Sequence, residues 1–243
     1  MATLPLPASI SEHARPADGA LRQGFGPRVR RLHARIGKAH HQAEGMAFSR
    51  SLLEGRATAQ QLAALLRALA PAYALLDAQV ALLAPALGVA DGPWSALARS
   101  AALRHDLAKL AALPPSPPSP AAAAWLEQLR SLAHGAPHRL LAHAYVRYGG
   151  DLSGGQQLAQ QANAILAAQG LPALSFWAFE RPIPELKLAL HDAFERFRLA
   201  PSQEEELLEE AEAAFRATQR LLAELAQLAE PSDPVASAAP ASA

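Results

Sequence analysis

Apolar positions recur at helical spacing along nearly the whole chain. Ala and Leu dominate, Val and Ile are scarce, and no alternating Val/Ile/Thr run is bounded by turn residues. The pattern predicts an all-α, single multi-helix domain with no sheet. Helices are expected over about 28–54, 58–87, 93–112, 121–133, 137–169, 183–197 and 201–228, with ends good to a few residues. Their breaks carry stop and start signals: Gly55 precedes Thr58, an N-cap candidate, and Gly92-Pro93 opens a helix. Pro114, Pro115, Pro117, Pro118 and Pro120 make a stiff connector, while Gly170 and Pro172 end the long fifth helix. Residues 1–27 and 231–243 mix Pro, Ser and Ala without a period, so they are expected to be disordered ends around a helical domain at 28–230. No repeat of solenoid type is present.

Composition narrows the chemistry. The 243 residues are 51% hydrophobic, enough for a core of ordinary size. Lys and Arg number 22 against 22 Asp and Glu, a balance that gives no basis for broad capture of nucleic acid or of an anionic membrane. With no cysteine, disulfides, thiolate metal sites, iron–sulfur clusters and cysteine nucleophiles are excluded. Chemistry has to come from histidine, carboxylates or a cofactor. The first residues lack a basic start followed by an apolar run, and the apolar stretch from Leu62 to Ala90 is interrupted by Arg67, Pro71, Asp77 and Pro85. No signal peptide or membrane span is expected, which leaves a cytoplasmic location as the default. The last helix opens with Pro201 and carries Glu204, Glu205, Glu206, Glu209, Glu210 and Glu212, where the helix dipole favours negative charge; this run reads as a solvated face.

One helical segment contradicts its own propensity. Between Leu140 and Leu166 the centre reads Tyr148-Gly149-Gly150-Asp151-Leu152-Ser153-Gly154-Gly155-Gln156. Four glycines inside a helix cost about 4 kcal/mol relative to alanine. A plain loop, an anion-binding nest, or a kinked helix with bare backbone against a flat ligand would each account for them. The flanks favour the kinked helix, because Gly150 and Gly154 share one face and Arg147 and Asp151 pair along the next; spacing alone leaves the plain loop standing. The same residues look like the signature of ABC-type ATPases, but the phosphate loop and acidic strand end that such an enzyme needs are absent.

Among nine histidines, context selects His40. Ile36, His40, Ala43 and Ala47 follow the spacing of a buried stripe, with Glu44 one turn beyond His40. The imidazole reads either as a core histidine satisfied by a carbonyl or by Glu44, or as an axial ligand to haem iron whose ring Glu44 orients. A zinc site is the weaker reading, because His40 and His41 project differently and no H-E-x-x-H occurs.

Together the two segments resemble the haem oxygenase family. His40-His41-Gln42-Ala43-Glu44, followed by Phe48 and Gly55, is similar to its proximal helix. His143-Ala144-Tyr145, Arg147-Tyr148 and Gly150-Asp151-Leu152-Ser153-Gly154-Gly155-Gln156 are similar to its distal helix. Tyr73, Asp106, Lys187 and Phe215 also fall at family-like positions, so the likeness covers roughly residues 30–228. The resemblance implies a soluble, bacterial-type enzyme that opens haem, at once substrate and cofactor, to biliverdin with release of carbon monoxide and ferrous iron. It would use O₂ and electrons from a separate reductase or ferredoxin.

By the same resemblance His40 is the iron ligand, and Glu44, Tyr145, Gly150, Ser153, Gly154, Gly155, Lys187, His191 and Phe215 surround the haem. Asp151 would hold an ordered water that delivers a proton, with Arg147, Tyr73 and Thr218 in its network. A haem-storing protein on the same fold is the alternative reading. The chain departs from the family at the propionates: Gly37 and His33 stand where basic residues are common, and His191 occupies a second basic position behind Lys187. Arg30, Arg31, Arg35 and Lys38 are the substitutes to be weighed against a plain solvated surface.

Overall fold

The computed structural model describes residues 25–228, and every regular element among them is helical. The helices are α1 (Pro27–Glu44), α2 (Ala47–Leu53), α3 (Ala59–Ala86), α4 (Trp94–Leu97), α5 (Ser100–Lys109) and α6 (Pro120–Gly135). After one 3₁₀ turn, Pro137–Arg139, follow α7 (Leu140–Leu152), α8 (Gly154–Ala168), α9 (Ile183–Arg196) and α10 (Pro201–Gln227). The expected disordered ends lie almost wholly outside the described residues.

Three of the expected helices are broken. The first stops at Gly45, where the backbone turns before α2, so Ala47 does not continue the stripe begun by Ile36. The third is split between α4 and α5 by an extended Ala98. The fifth is divided at Ser153, whose φ of −110° and ψ of −99° ends α7 and starts α8. That division is the kink the glycines favoured; the loop and nest readings fail, because Gly149 and Gly150 remain helical.

The caps follow the local chemistry. Thr58 and Gln61 close a reciprocal capping box on α3, and the Ser119 hydroxyl accepts from Ala122 N–H at the start of α6. The α1 N-terminus is capped from across the fold: the Glu195 carboxylate accepts the N–H groups of Arg28 (3.2 Å) and Val29 (2.7 Å). A Cβ on Gly26 would lie 2.3 Å from the Glu195 side chain, so the close approach requires glycine there. In return the Arg28 guanidinium donates to the carbonyls of Phe194, Glu195 and Phe197 at the end of α9. The two helix ends thereby satisfy each other's orphaned groups.

Helix α3 is long and apolar enough to cross a membrane by length and composition. In this fold one side of it contributes to the core. Leu62, Leu66, Leu69, Tyr73 and Leu76 are fully buried in it, and it packs on helices that include α5, α6 and α7. Asp77, which interrupts its apolar run, accepts the backbone N–H groups of Arg99 (3.0 Å) and Ser100 (2.8 Å) and so caps α5.

The acidic start of α10 is not the solvated face expected of it. Glu204 pairs with Arg28 and Arg31, Glu205 with Arg31, Glu212 with Arg35 and Arg216, and Glu206 with His138. Glu210 is 2% exposed and takes hydrogen bonds from Gln128 (2.7 Å) and His143 (3.0 Å), with Arg139 at 2.7 Å. The Trp125 indole N–H donates to Nδ1 of His143, which leaves Nε2 as the protonated nitrogen that faces Glu210. The acidic run is therefore a seam between α10, α1 and α7. Its partners are distant in sequence, which is why the run alone reads as surface.

Candidate functional site

The glycines of the kinked segment fall into two groups. A Cβ built on Gly155 would lie 2.8 Å from Trp177 Cδ1 and 3.2 Å from the Gly150 carbonyl oxygen, so this position is occupied by packing. Gly149, Gly150 and Gly154 have nothing within 4 Å of the same construction. Packing inside the protein therefore accounts for Gly155 and leaves the other three unexplained. Gly150, Ser153 and Gly154 form an exposed strip, while Asp151, Leu152 and Gly155 between them are buried. The strip is a cradle that a side chain would fill.

Trp177 is held against Gly155 by its own loop. Asp106, fully buried, accepts the N–H groups of Ser175 and Phe176 and the Ser175 hydroxyl. Gln156 donates to the carbonyls of Asp151 and Trp177, tying that loop to the kink. The role of Trp177 was not legible in sequence.

Beneath the strip lies a buried polar network. Asp151 is 2% exposed; its Oδ2 accepts from the Tyr73 hydroxyl at 2.5 Å, and Arg147 stands 3.7 Å from its Oδ1. Arg147 Nε donates to the Tyr73 oxygen at 3.1 Å. Burial pushes the Asp151 carboxyl up to about 6, against the opposing pull of Arg147 and the Tyr73 hydrogen bond. Burial likewise raises Tyr73 well above the ordinary phenol range, so it stays a donor. The network extends further than the sequence suggested: Tyr148 donates to Asp77 at 2.7 Å. Thr218 is not part of it, because its hydroxyl bonds the Ala214 carbonyl of its own helix.

His40 is not the inward-pointing core residue that its stripe predicted. Ile36 and Ala43 are buried, but the His40 side chain is 49% exposed at the edge of α1. The buried face of α1 is narrow, and the ring meets the buried Phe215 of α10 edge-on at 5.9 Å. Its Nδ1 faces the Glu44 carboxylate at 3.6 Å, which leaves Nε2 for a ligand.

Two turns earlier on α1, His33 meets an aromatic cluster. Its ring lies 4.9 Å from Phe25, 6.0 Å from Tyr145 of α7 and 6.0 Å from His191 of α9. The Tyr145 hydroxyl is buried with no hydrogen-bond partner among the described residues. Burial, then His33 and Lys187, lower the His191 imidazole to about 4. Lys187 is half-buried on the same helix as His191. Arg31 and Arg35, offered as substitute anion binders, are instead paired with Glu204, Glu205 and Glu212.

A groove of about 610 Å³ under the proline connector shares none of these residues. Its charged groups are already paired: Arg67 with Ser116 and the Pro114 carbonyl, and Glu224 with Ser119 and Ala121 N–H.

Comparison with known proteins agrees with this arrangement. The family model described as Heme oxygenase matches residues 29–224. The chain is 30% identical over 207 residues to heme oxygenase 1 of Pongo abelii, covering 79% of this chain and 69% of that one. It is 26% identical to heme oxygenase of the red alga Rhodella violacea, covering 77% and 82%. Among solved structures, heme oxygenase-1 of the cyanobacterium Synechocystis in complex with heme superposes with a TM-score of 0.72 at 25% identity, over 82% of this chain and 92% of that one. Heme oxygenase of Leptospira interrogans gives 0.73 at 26% identity, over 82% and 100%. With a kinked glycine-rich helix, a Glu-flanked histidine on α1 and a family match spanning most of its length, this chain belongs to the haem oxygenase family.

Proposed function

We propose that this chain opens haem to biliverdin with release of carbon monoxide and ferrous iron, using O₂ and electrons from a separate reductase or ferredoxin. The observation that carries the reading is the cradle itself. Gly150 and Gly154, with no internal packing reason to be glycine, lie on one exposed strip of a kinked helix, the shape a flat macrocycle needs to approach the main chain.

His40 would hold the haem iron through Nε2, and Glu44, 3.6 Å from Nδ1, stands where a small closing movement would let it accept from Nδ1 and keep the ring turned. Bound haem supplies the iron at which O₂ is activated, and its own ring is the group oxidised. Gly150, Ser153 and Gly154 would offer bare main chain to the haem, with Gly155 and Trp177 fixing the kink behind them. Phe215 packs beside the ligating imidazole.

Asp151 manages protons. Tyr73 occupies Oδ2, so Oδ1 is the atom left to accept from an ordered water, and a carboxyl near 6 exchanges protons readily at neutral pH. Arg147 and Tyr73 set the direction of that carboxylate. At the other end, Lys187 and His191 receive the propionates, and the unsatisfied Tyr145 hydroxyl gains the acceptor it lacks.

The test is to add hemin to the purified protein, follow the Soret band, then supply reductant and oxygen and identify bilins by chromatography. Biliverdin is expected. Haem recovered intact after turnover would leave a haem-holding protein, and no Soret band would remove the haem site.

A further inference from the structure

Spacing alone does not join His40 and His41, because neighbours on a helix project about 100° apart. The structure joins them through Glu44. His40 Nδ1 lies 3.6 Å from Glu44 Oε1, and His41 Nδ1 lies 3.4 Å from Glu44 Oε2. The three potential ligand atoms all lie within 4.8 Å of one another.

Those separations are long for hydrogen bonds, which have their mode near 2.9 Å for N–H···O. Each is near the roughly 3.4 Å that separates two ligands about 2.0–2.1 Å from a tetrahedral metal; because the two rings face different Glu44 oxygens, a shared ion would be taken by both oxygens of the carboxylate, with the imidazoles turning in to it. All three side chains are exposed, at 49%, 76% and 57%, so an ion can enter without any opening of the fold and water can complete its coordination. Two imidazoles and a carboxylate form a donor set for a borderline divalent ion such as zinc.

We propose that His40, His41 and Glu44 bind one divalent transition-metal ion when the haem slot is not in use, and that this ion and haem exclude each other. The exclusion rests on the reading of His40 as haem ligand. A neutral imidazole has one lone pair in the ring plane. With a metal on Nδ1 the proton resides on Nε2, and the nitrogen offered to haem iron can no longer donate. The metal also takes the Glu44 carboxylate that orients the ring. No net redox change is involved; any proton already on the imidazoles is released to water as the ion binds.

His41 separates the two functions, because it belongs to the ion site and has no part in the proposed haem ligation. Zn²⁺ titrated calorimetrically into the haem-free full chain should bind at one equivalent, and His41→Ala should weaken that binding by at least roughly tenfold, the lower end for disturbing a metal's surroundings. Hemin titrations of wild type and His41→Ala should give the same Soret end point without zinc. Zn²⁺ held just high enough to fill the wild-type site should then raise the hemin concentration needed by wild type and shift that of His41→Ala markedly less.

Zinc binding that persists undiminished in His41→Ala overturns the site. A wild-type complex that holds zinc at these residues and hemin together at full affinity overturns the exclusion. Should hemin fail to bind either protein, the haem reading falls while the calorimetric result still decides the ion site.

Discussion

Replacing Gly150 by leucine should make the protein more stable and less able to hold haem. Gly150 is helical, in the last turn of α7, and a Cβ added there meets nothing within 4 Å. Glycine costs a helix interior about 1 kcal/mol relative to a good helix former. The substitution should therefore raise the thermal midpoint of the haem-free protein by up to roughly 2–4 °C for a domain of this size. A leucine side chain would occupy the cradle, and hemin affinity should fall at least about 100-fold, or roughly 2.7 kcal/mol. Gly155→Ala is the control of opposite sign: its Cβ would press on Trp177 at 2.8 Å and on the Gly150 carbonyl at 3.2 Å. The strain should cost about 1–3 kcal/mol of stability. Thermal unfolding followed by circular dichroism reads the first quantity, and a Soret titration reads the second. Should Gly150→Leu lower the midpoint as Gly155→Ala does, or titrate with hemin as wild type, the cradle argument fails.

His40→Ala should lose the Soret position of a histidine-ligated haem, measured by absorption, and an unchanged spectrum would remove His40 as ligand. Asp151→Asn should lower bilin yield while hemin still binds, as resolved by product chromatography; full biliverdin output would refute the proton role. With the Asp151 carboxyl raised from 3.8 to about 6 by burial, biliverdin formation should decline as pH falls through about 6. The same shift has a stability sign. Its contribution is fully present below the unfolded value and is lost as pH rises through about 6, so Asp151→Asn should flatten that part of the pH–stability curve in denaturant titrations. Burial opposes ionisation of Glu210, but His143 and Arg139 outweigh it and hold its carboxyl below the ordinary range. Its stabilisation is present above the unfolded value and lost as acid titrates it. Glu210→Ala should cost about 3 kcal/mol in urea unfolding, because it strands buried partners.

What was legible in the sequence was linear. The α7–α8 glycines, the His40-to-Glu44 spacing and the proline connector are each local, and the helices built on them form close to where expected. What escaped notice depends on partners far apart in the chain. Tyr148 and Asp77 are 71 residues apart, and no spacing rule joins them. Gly155 resembles its three companions in sequence, yet only the Asp106-fastened loop bearing Trp177 explains it. The acidic run on α10 looked like surface because the arginines that meet it belong to α1. His40 sits at the edge of the buried face rather than within it, because a stripe of small residues does not reveal how narrow that face is, and because Gly45 ends the helix before Ala47 can extend it.

The reciprocal capping of α1 and α9 gives the first helix an anchored foot and a freer tip. Arg28 and Glu195 lock its start, whereas beyond Ala39 the described side-chain hydrogen bonds to it from α10 come from Gln219, which donates to the Ala39 carbonyl and to Gln42. Discrimination between pigments should therefore be strict at the foot, near His33 and Tyr145, and lenient at the tip. A tetrapyrrole whose acid arms are esterified should be turned away.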